Sequence, residues 1–282
     1  MILIYKPINE LPILLAFLFT IFLFGSCKNN SAETEENNSV LPAGTPILNY
    51  SVTNSFPHDT SLFTEGFLIH DGQLFESTGS PKELISAKSL IGIVDLKTGK
   101  IDEKIKIDKA KYFGEGIVFL KDKLYQLTYK NQICFIYDSK SFKQLGKFNY
   151  LNTEGWGLTT DGKDLIMSDG TDTLTFLDPN DLKPIKTLTV TENGLPMKSL
   201  NELEYIKGFI YANIWTTDFI AKIDPVSGRV VGKLNLSSLV NEAKNKNPKA
   251  DVLNGIAYDS TSNKIFVTGK LWPNIYQLDF PH

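Results

Sequence analysis

From about residue 47 onward, apolar and polar residues alternate in short runs. Gly116–Leu120 (GIVFL), Lys123–Tyr129 (KLYQLTY) and Lys264–Thr268 (KIFVT) are typical. The runs are rich in β-branched and aromatic residues and are separated by Asp-Gly, Lys-Asp or Asn-Lys turns. That pattern predicts short strands joined by hairpins. Helical periodicity is nearly absent. Its clearest instance is about 237–246, SSLVNEAKNK, which stops just before Asn247-Pro248.

The strand signals repeat. Five segments share one order: an acidic or amide residue beside or near glycine, an apolar strand, a polar turn and a second strand. They are Glu65-Gly66 leading to Gly72–Phe75, Glu115-Gly116 to Lys123–Tyr125, Gly155-Trp156-Gly157 to Lys163–Ile166, Glu202–Glu204 to Gly208–Tyr211, and Asn254-Gly255 to Asn263–Phe266. Most continue to an Asp turn (Asp95, Asp138, Asp178, Asp224) and, in three, a clear fourth strand over 101–107, 186–190 or 229–236. The spacing is about 40–50 residues, the length of a four-stranded propeller blade. The prediction is an all-β, five-bladed β-propeller over residues 47–282. The alternative is a pair of β-sandwiches, against which the regular long period argues. The last blade lacks a fourth strand at the C-terminus, so Asn49–Val52 is expected to supply it and close the ring.

The N-terminus follows other rules. An apolar run from Leu11 to Phe24, broken by Pro12 and Thr20, meets Gly25 and Ser26 directly before Cys27. At about 14 residues it is short for a membrane span, which needs roughly 20. It resembles a bacterial lipoprotein signal; an uncleaved N-terminal anchor is the alternative. The expected organisation is a signal peptide over 1–26, a lipidated Cys27, a polar tether over 27–46 and the propeller over 47–282. The protein would then sit at the cell envelope, held to the membrane by its N-terminal lipid on the periplasmic or cell-surface side. An acylated Cys27 forms no disulfide, leaving Cys134, inside a strand-like run, as a small buried hydrophobe.

Composition narrows the chemistry. Lys and Arg total 29 against 32 Asp and Glu, a net charge of −3, which argues against a nucleic-acid partner. Three His and two Cys show no ligand spacing, so no metal site and no cofactor is expected. In a propeller the innermost strands converge on one axis. Glu65, Glu115, Glu154 or Trp156, Asn201 to Glu204, and Asn254 should therefore crowd one mouth. Carboxylates gathered in a desolvated funnel suit acid/base work; equally, such residues can satisfy backbone donors near the axis. Trp156, Trp215 and Trp272 lie in the same repeats and, beside Lys270, favour a pocket with aromatic walls.

At these residues the chain resembles the plant-type glutaminyl-peptide cyclotransferases. The resemblance rests on an ordered set over roughly residues 60–278: Phe63–Gly66, Leu74–Gly79, Tyr112–Gly116, Gly155–Leu158, Ser168–Thr171, Leu200–Tyr205, Ala212–Trp215, Asp251–Ala257 and Val267–Pro273. It implies a five-bladed propeller, no metal, and conversion of N-terminal glutamine of peptides or proteins to pyroglutamate with release of ammonia. Glu115 would be the general acid/base. Asn201 and Lys270 would hold the carboxamide oxygen, and Trp156, Trp215 and Phe113 would wall the pocket. The chain departs from the plant pattern at Glu65, where those enzymes carry Gln, and at Thr128 or Tyr129, where they carry Trp. A carboxylate at Glu65 would either favour the ammonium form of the substrate amine or bind the amine for orientation. The chain is expected to act as a monomer. The competing functions are a non-catalytic binding propeller and a calcium-dependent, lactonase-like hydrolase.

Overall fold

Residues 44–282 are described by a computed structural model. The expected signal peptide 1–26, Cys27 and the tether up to residue 43 lie outside the described residues. The strand β1 (Ser51–Pro57) precedes the first blade, which is β2 (Phe63–His70), β3 (Gln73–Gly79), β4 (Leu90–Val94) and β5 (Ile101–Lys106). The second blade is β6 (Gly114–Leu120), β7 (Lys123–Thr128), β8 (Ile133–Asp138) and β9 (Gln144–Asn149). The third is shorter: β10 (Leu158–Thr160), β11 (Leu165–Met167), β12 (Thr173–Leu177) and β13 (Pro184–Thr189). A hairpin, β14 (Thr191–Glu192) and β15 (Leu195–Pro196), leads to the fourth blade, β16 (Leu200–Ile206), β17 (Phe209–Ile214), β18 (Phe219–Ile223) and β19 (Val230–Asn235). After helix α1 (Ser237–Lys246) come β20 (Leu253–Asp259), β21 (Lys264–Gly269) and β22 (Asn274–Asp279).

The fifth blade is completed by β1, which pairs antiparallel with β22 from Ser51↔Asp279 to Pro57↔Asn274. The closing strand therefore begins two residues later than the sequence suggests and runs on to Pro57. Ahead of it, Leu48 donates its N–H to the Lys233 carbonyl at 2.7 Å, so residues 46–48 lie along the outer edge of the fourth blade. The result is the five-bladed propeller expected from the repeats.

The apolar residues collect into five clusters, one between each pair of neighbouring blades. The largest lies between the fourth and fifth blades, where Leu239, Val240 and Ala243 of α1 join it. Asn235 Oδ1 accepts the Ser237 N–H at 3.0 Å and starts that helix. Cys134 is buried in the cluster between blades two and three, and burial pushes its thiol up to about 12. The Asp turns do the same job in successive blades. Asp95, Asp138, Asp178 and Asp224 each accept a backbone N–H from two or three residues on, at 2.7 to 2.9 Å, turning the third strand into the fourth.

Candidate active site

The acid–glycine motifs are β-bulges. In β6 the pairing runs from Gly114↔Thr128 to Ile117↔Gln126, so Glu115 and Gly116 together oppose one residue of β7. The inner strands β2, β16 and β20 break register in the same way at Glu65, at Asn201-Glu202 and at Asn254-Gly255. A bulge re-aims side chains without ending the strand. Here it does so at the same level in four of five inner strands. The glycines let neighbouring blades touch. A Cβ on Gly116 would stand 2.5 Å from the Leu158 nitrogen, and one on Gly157 would stand 2.1 Å from the Asn201 carbonyl oxygen. The Gly116 N–H donates to the Trp156 carbonyl at 2.8 Å, tying blade two to blade three at the site.

A cavity of about 290 Å³ opens at this mouth. Its walls include Glu65, Phe113, Glu115, Trp156, Asn201, Trp215 and Lys270, the propeller residues to which the family resemblance points. The charged centre is compact and buried. Lys270 Nζ donates to Glu65 Oε1 at 2.7 Å and stands 4.6 Å from the centre of the Phe63 ring. Asn254 Nδ2 approaches Glu65 Oε2 at 3.4 Å. The Glu115 carboxyl lines the same cavity beside Glu65. Burial, then the charge of Glu65, holds the Glu115 carboxyl well above the ordinary range. Burial also raises Glu65, against the pull of Lys270. Two carboxyls in one dry site beside one ammonium thus favour the protonated form of Glu115. Asn201 Oδ1 is buried without a protein partner, an acceptor left for a bound molecule.

Aromatic rings run round the wall in contact. Phe63 meets Phe113 edge-on at 6.3 Å, Phe113 meets Tyr129 at 5.8 Å, Tyr129 meets Trp156 at 6.5 Å, and Trp156 meets Trp215 edge-on at 5.4 Å. Trp156 is pinned through its indole N–H, which donates to Glu154 at 2.9 Å. Glu154 is held in turn by Lys130 at 3.3 Å. Trp215 is 42% exposed and forms the rim. Of Thr128 and Tyr129, it is Tyr129 that lines the cavity, between Phe113 and Trp156.

Some expectations resolve differently. Trp272 is fully buried, lies against Gly269 and donates its indole N–H to the Asp251 carbonyl at 2.9 Å, so it supports the site from behind instead of lining it. Glu202 and Glu204 also leave the mouth. Glu202 accepts the N–H groups of Phe67 and Ile256 at 3.3 and 2.8 Å, and Glu204 accepts that of Tyr258 at 2.9 Å. The two readings of the axial acids therefore divide by depth: Glu65 and Glu115 face the cavity, while Glu202 and Glu204 satisfy backbone donors. Pro81 and Thr216 line the cavity without having stood out in the sequence, and Phe63, Asp251 and Val252 line it from motifs that carry the resemblance but were given no role.

A buried pair braces the wall behind Lys270. His58 donates from Nδ1 to the Trp272 carbonyl at 2.9 Å and from Nε2 to Glu76 Oε2 at 3.0 Å. Donation from both nitrogens favours the imidazolium form of the ring. Burial opposes that charge, but Glu76 outweighs it and His58 is raised. Glu76 Oε1 accepts from Thr64 at 2.7 Å, next to Glu65.

Comparison with known proteins agrees with this geometry. The sequence pattern of the family described as Glutamine cyclotransferase matches residues 20–280. The chain is 40% identical to a glutaminyl-peptide cyclotransferase of Arabidopsis thaliana over 260 residues, which is 92% of this chain and 79% of that one. The fold is similar to the crystal structure of Myxococcus xanthus glutaminyl cyclase, with a TM-score of 0.74 and 32% identity over 83% of this chain and 98% of that one. The chain belongs to the glutamine cyclotransferase family.

Proposed function

We infer that the protein is an enzyme that converts the N-terminal glutamine of peptides to pyroglutamate and releases ammonia. The observation that carries this reading is the buried Glu115 carboxyl lining one cavity with the Glu65–Lys270 pair and an aromatic wall. The α-amine nitrogen bonds to the γ-carboxamide carbon of its own residue, and the bond from that carbon to the amide nitrogen breaks. Attack needs a neutral amine, a proton for the leaving nitrogen and support for charge on the carboxamide oxygen. Glu115, neutral in the resting site, gives its proton to the leaving nitrogen and takes one back from the new ring nitrogen. Protons balance without a co-reactant.

Lys270 is the cation nearest the developing oxyanion. Asn201 holds the carboxamide, its unpartnered Oδ1 facing substrate N–H. Glu65 seats the α-amine and keeps Lys270 in place. Trp156, Trp215 and Phe113 press the side chain into the folded-back conformer, where intramolecular attack has a large proximity advantage. The reading is tested by incubating the protein with a peptide beginning in glutamine. Ammonia should appear in step with loss of the free α-amine; no ammonia across a broad pH range would overturn it. Neither a non-catalytic scaffold nor a lactonase-like hydrolase accounts for the family membership.

The N-terminal pattern supports a further part of the proposal. The apolar run ending in Gly25-Ser26-Cys27 directs the chain to the cell envelope, where lipid on Cys27 anchors it. Metabolic labelling with a fatty acid should mark the wild type and not Cys27→Ser.

A further inference from the structure

The catalytic cavity does not end at its own walls. Phe63, Pro81 and Asp251 also line a second depression of about 460 Å³, bounded by the β3–β4 loop on one side and the segment before β20 on the other. Its remaining surface is apolar at Leu84 and Leu271 and charged at Glu83 and Lys249. Glu83, Lys249 and Asp251 are exposed, and Leu271 is buried beneath them.

We propose that this depression seats the side chain of the residue following glutamine in the substrate, and that it favours a long cationic side chain there. The proposal rests on the cyclotransferase reading. In that reaction both reacting atoms belong to one glutamine, so the only part of the substrate that continues outward is the chain beyond its α-carbonyl. The second depression shares three wall residues with the catalytic cavity, so it lies next to where the following residue leaves that cavity. Leu84, Leu271 and Phe63 suit the aliphatic stem of a Lys or Arg. The carboxylates of Glu83 and Asp251 outnumber the single ammonium of Lys249, so the seat is net negative. These charges are exposed and screened; each pair is worth about two- to fivefold.

The test uses three peptides that differ only after glutamine: Gln-Lys, Gln-Ala and Gln-Glu, each extended by the same neutral residues. At low salt the wild type should show kcat/KM in the order Lys, Ala, Glu, with about tenfold between the extremes, and the spread should shrink as salt is added. Glu83→Lys, an exposed loop change, should cut the Lys-to-Glu ratio at least threefold and leave Gln-Ala turnover unchanged. Lys249→Glu should widen the ratio. A wild-type ratio near one, or a ratio that neither variant moves, overturns the subsite while leaving the activity standing. No ammonia from any of the three peptides overturns the activity itself.

Discussion

Lys270 and Glu65 are the residues on which the rest of the site depends. Their ion pair is almost fully buried, with the Glu115 carboxyl, raised by burial, as its neighbour. Removing one partner of such a pair leaves an uncompensated charge, at a cost of about 3–5 kcal/mol. Lys270→Met should therefore lower the melting temperature, and it removes the strongest influence pulling Glu65 down. The Glu65 pKa then rises further, so the loss is small below the ordinary carboxylate pKa and grows as pH rises through the new value. Scanning calorimetry at pH 5 and pH 8 should show the larger drop at pH 8. Adding Glu65→Gln should recover most of it, because the stranded charge is gone.

At the scale of strands and turns, the sequence was informative wherever one residue type has one local job. The Asp turns, helix 237–246 and the burial of Cys134 follow from composition and periodicity, and the structure places them as expected. The β14–β15 hairpin was not among the expectations; Asn193 and Gly194 both have positive φ, at 51° and 81°, as an Asn-Gly hairpin turn requires. Bulges made the inner strands harder to read. An extra residue shifts the alternation, so a count from Glu65 or Asn201 does not say which later side chain faces the mouth. Hence Glu202 and Glu204 looked like site residues and are interstrand braces. Trp272 misled for a related reason. It follows Lys270 by two residues, but Leu271 between them has φ 60°, which turns the chain so that the indole packs behind Gly269. Pro81 and Thr216 carried no signal, since they reach the cavity only through the meeting of loops from different blades.

The whole ring carries acids at its axis, and they set how its stability responds to pH. Burial raises Glu202 well above the usual range, with Glu204 adding to it, and burial pushes Glu204 up to about 8. An acid raised on folding is neutral in the folded protein. Its favourable contribution is complete below its unfolded value and fades as pH climbs through the folded one. His58, also raised, contributes below its unfolded value of about 6.5 and loses that contribution as pH rises through its folded one. The turn residues Asp95, Asp138 and Asp224, lowered chiefly by hydrogen bonds from the turns they cap, act oppositely and lose their contribution as pH falls through their folded values. The propeller should thus be most stable on the mildly acidic side of neutrality. Glu204→Gln keeps the acceptor for the Tyr258 N–H and removes the titration. It should raise the melting temperature clearly at pH 8 and little at pH 5.

The central claim is that Glu115 moves the protons of cyclisation. The direct measurement is ammonia release from a glutamine-initiated peptide by wild type and Glu115→Gln at equal folded concentration. Gln at this position keeps the shape and removes a buried acid, so the variant should fold at least as well as the wild type. The account predicts a fall in kcat of about 10²- to 10⁴-fold with the melting temperature held or raised. A folded Glu115→Gln protein that releases ammonia at the wild-type rate would contradict it.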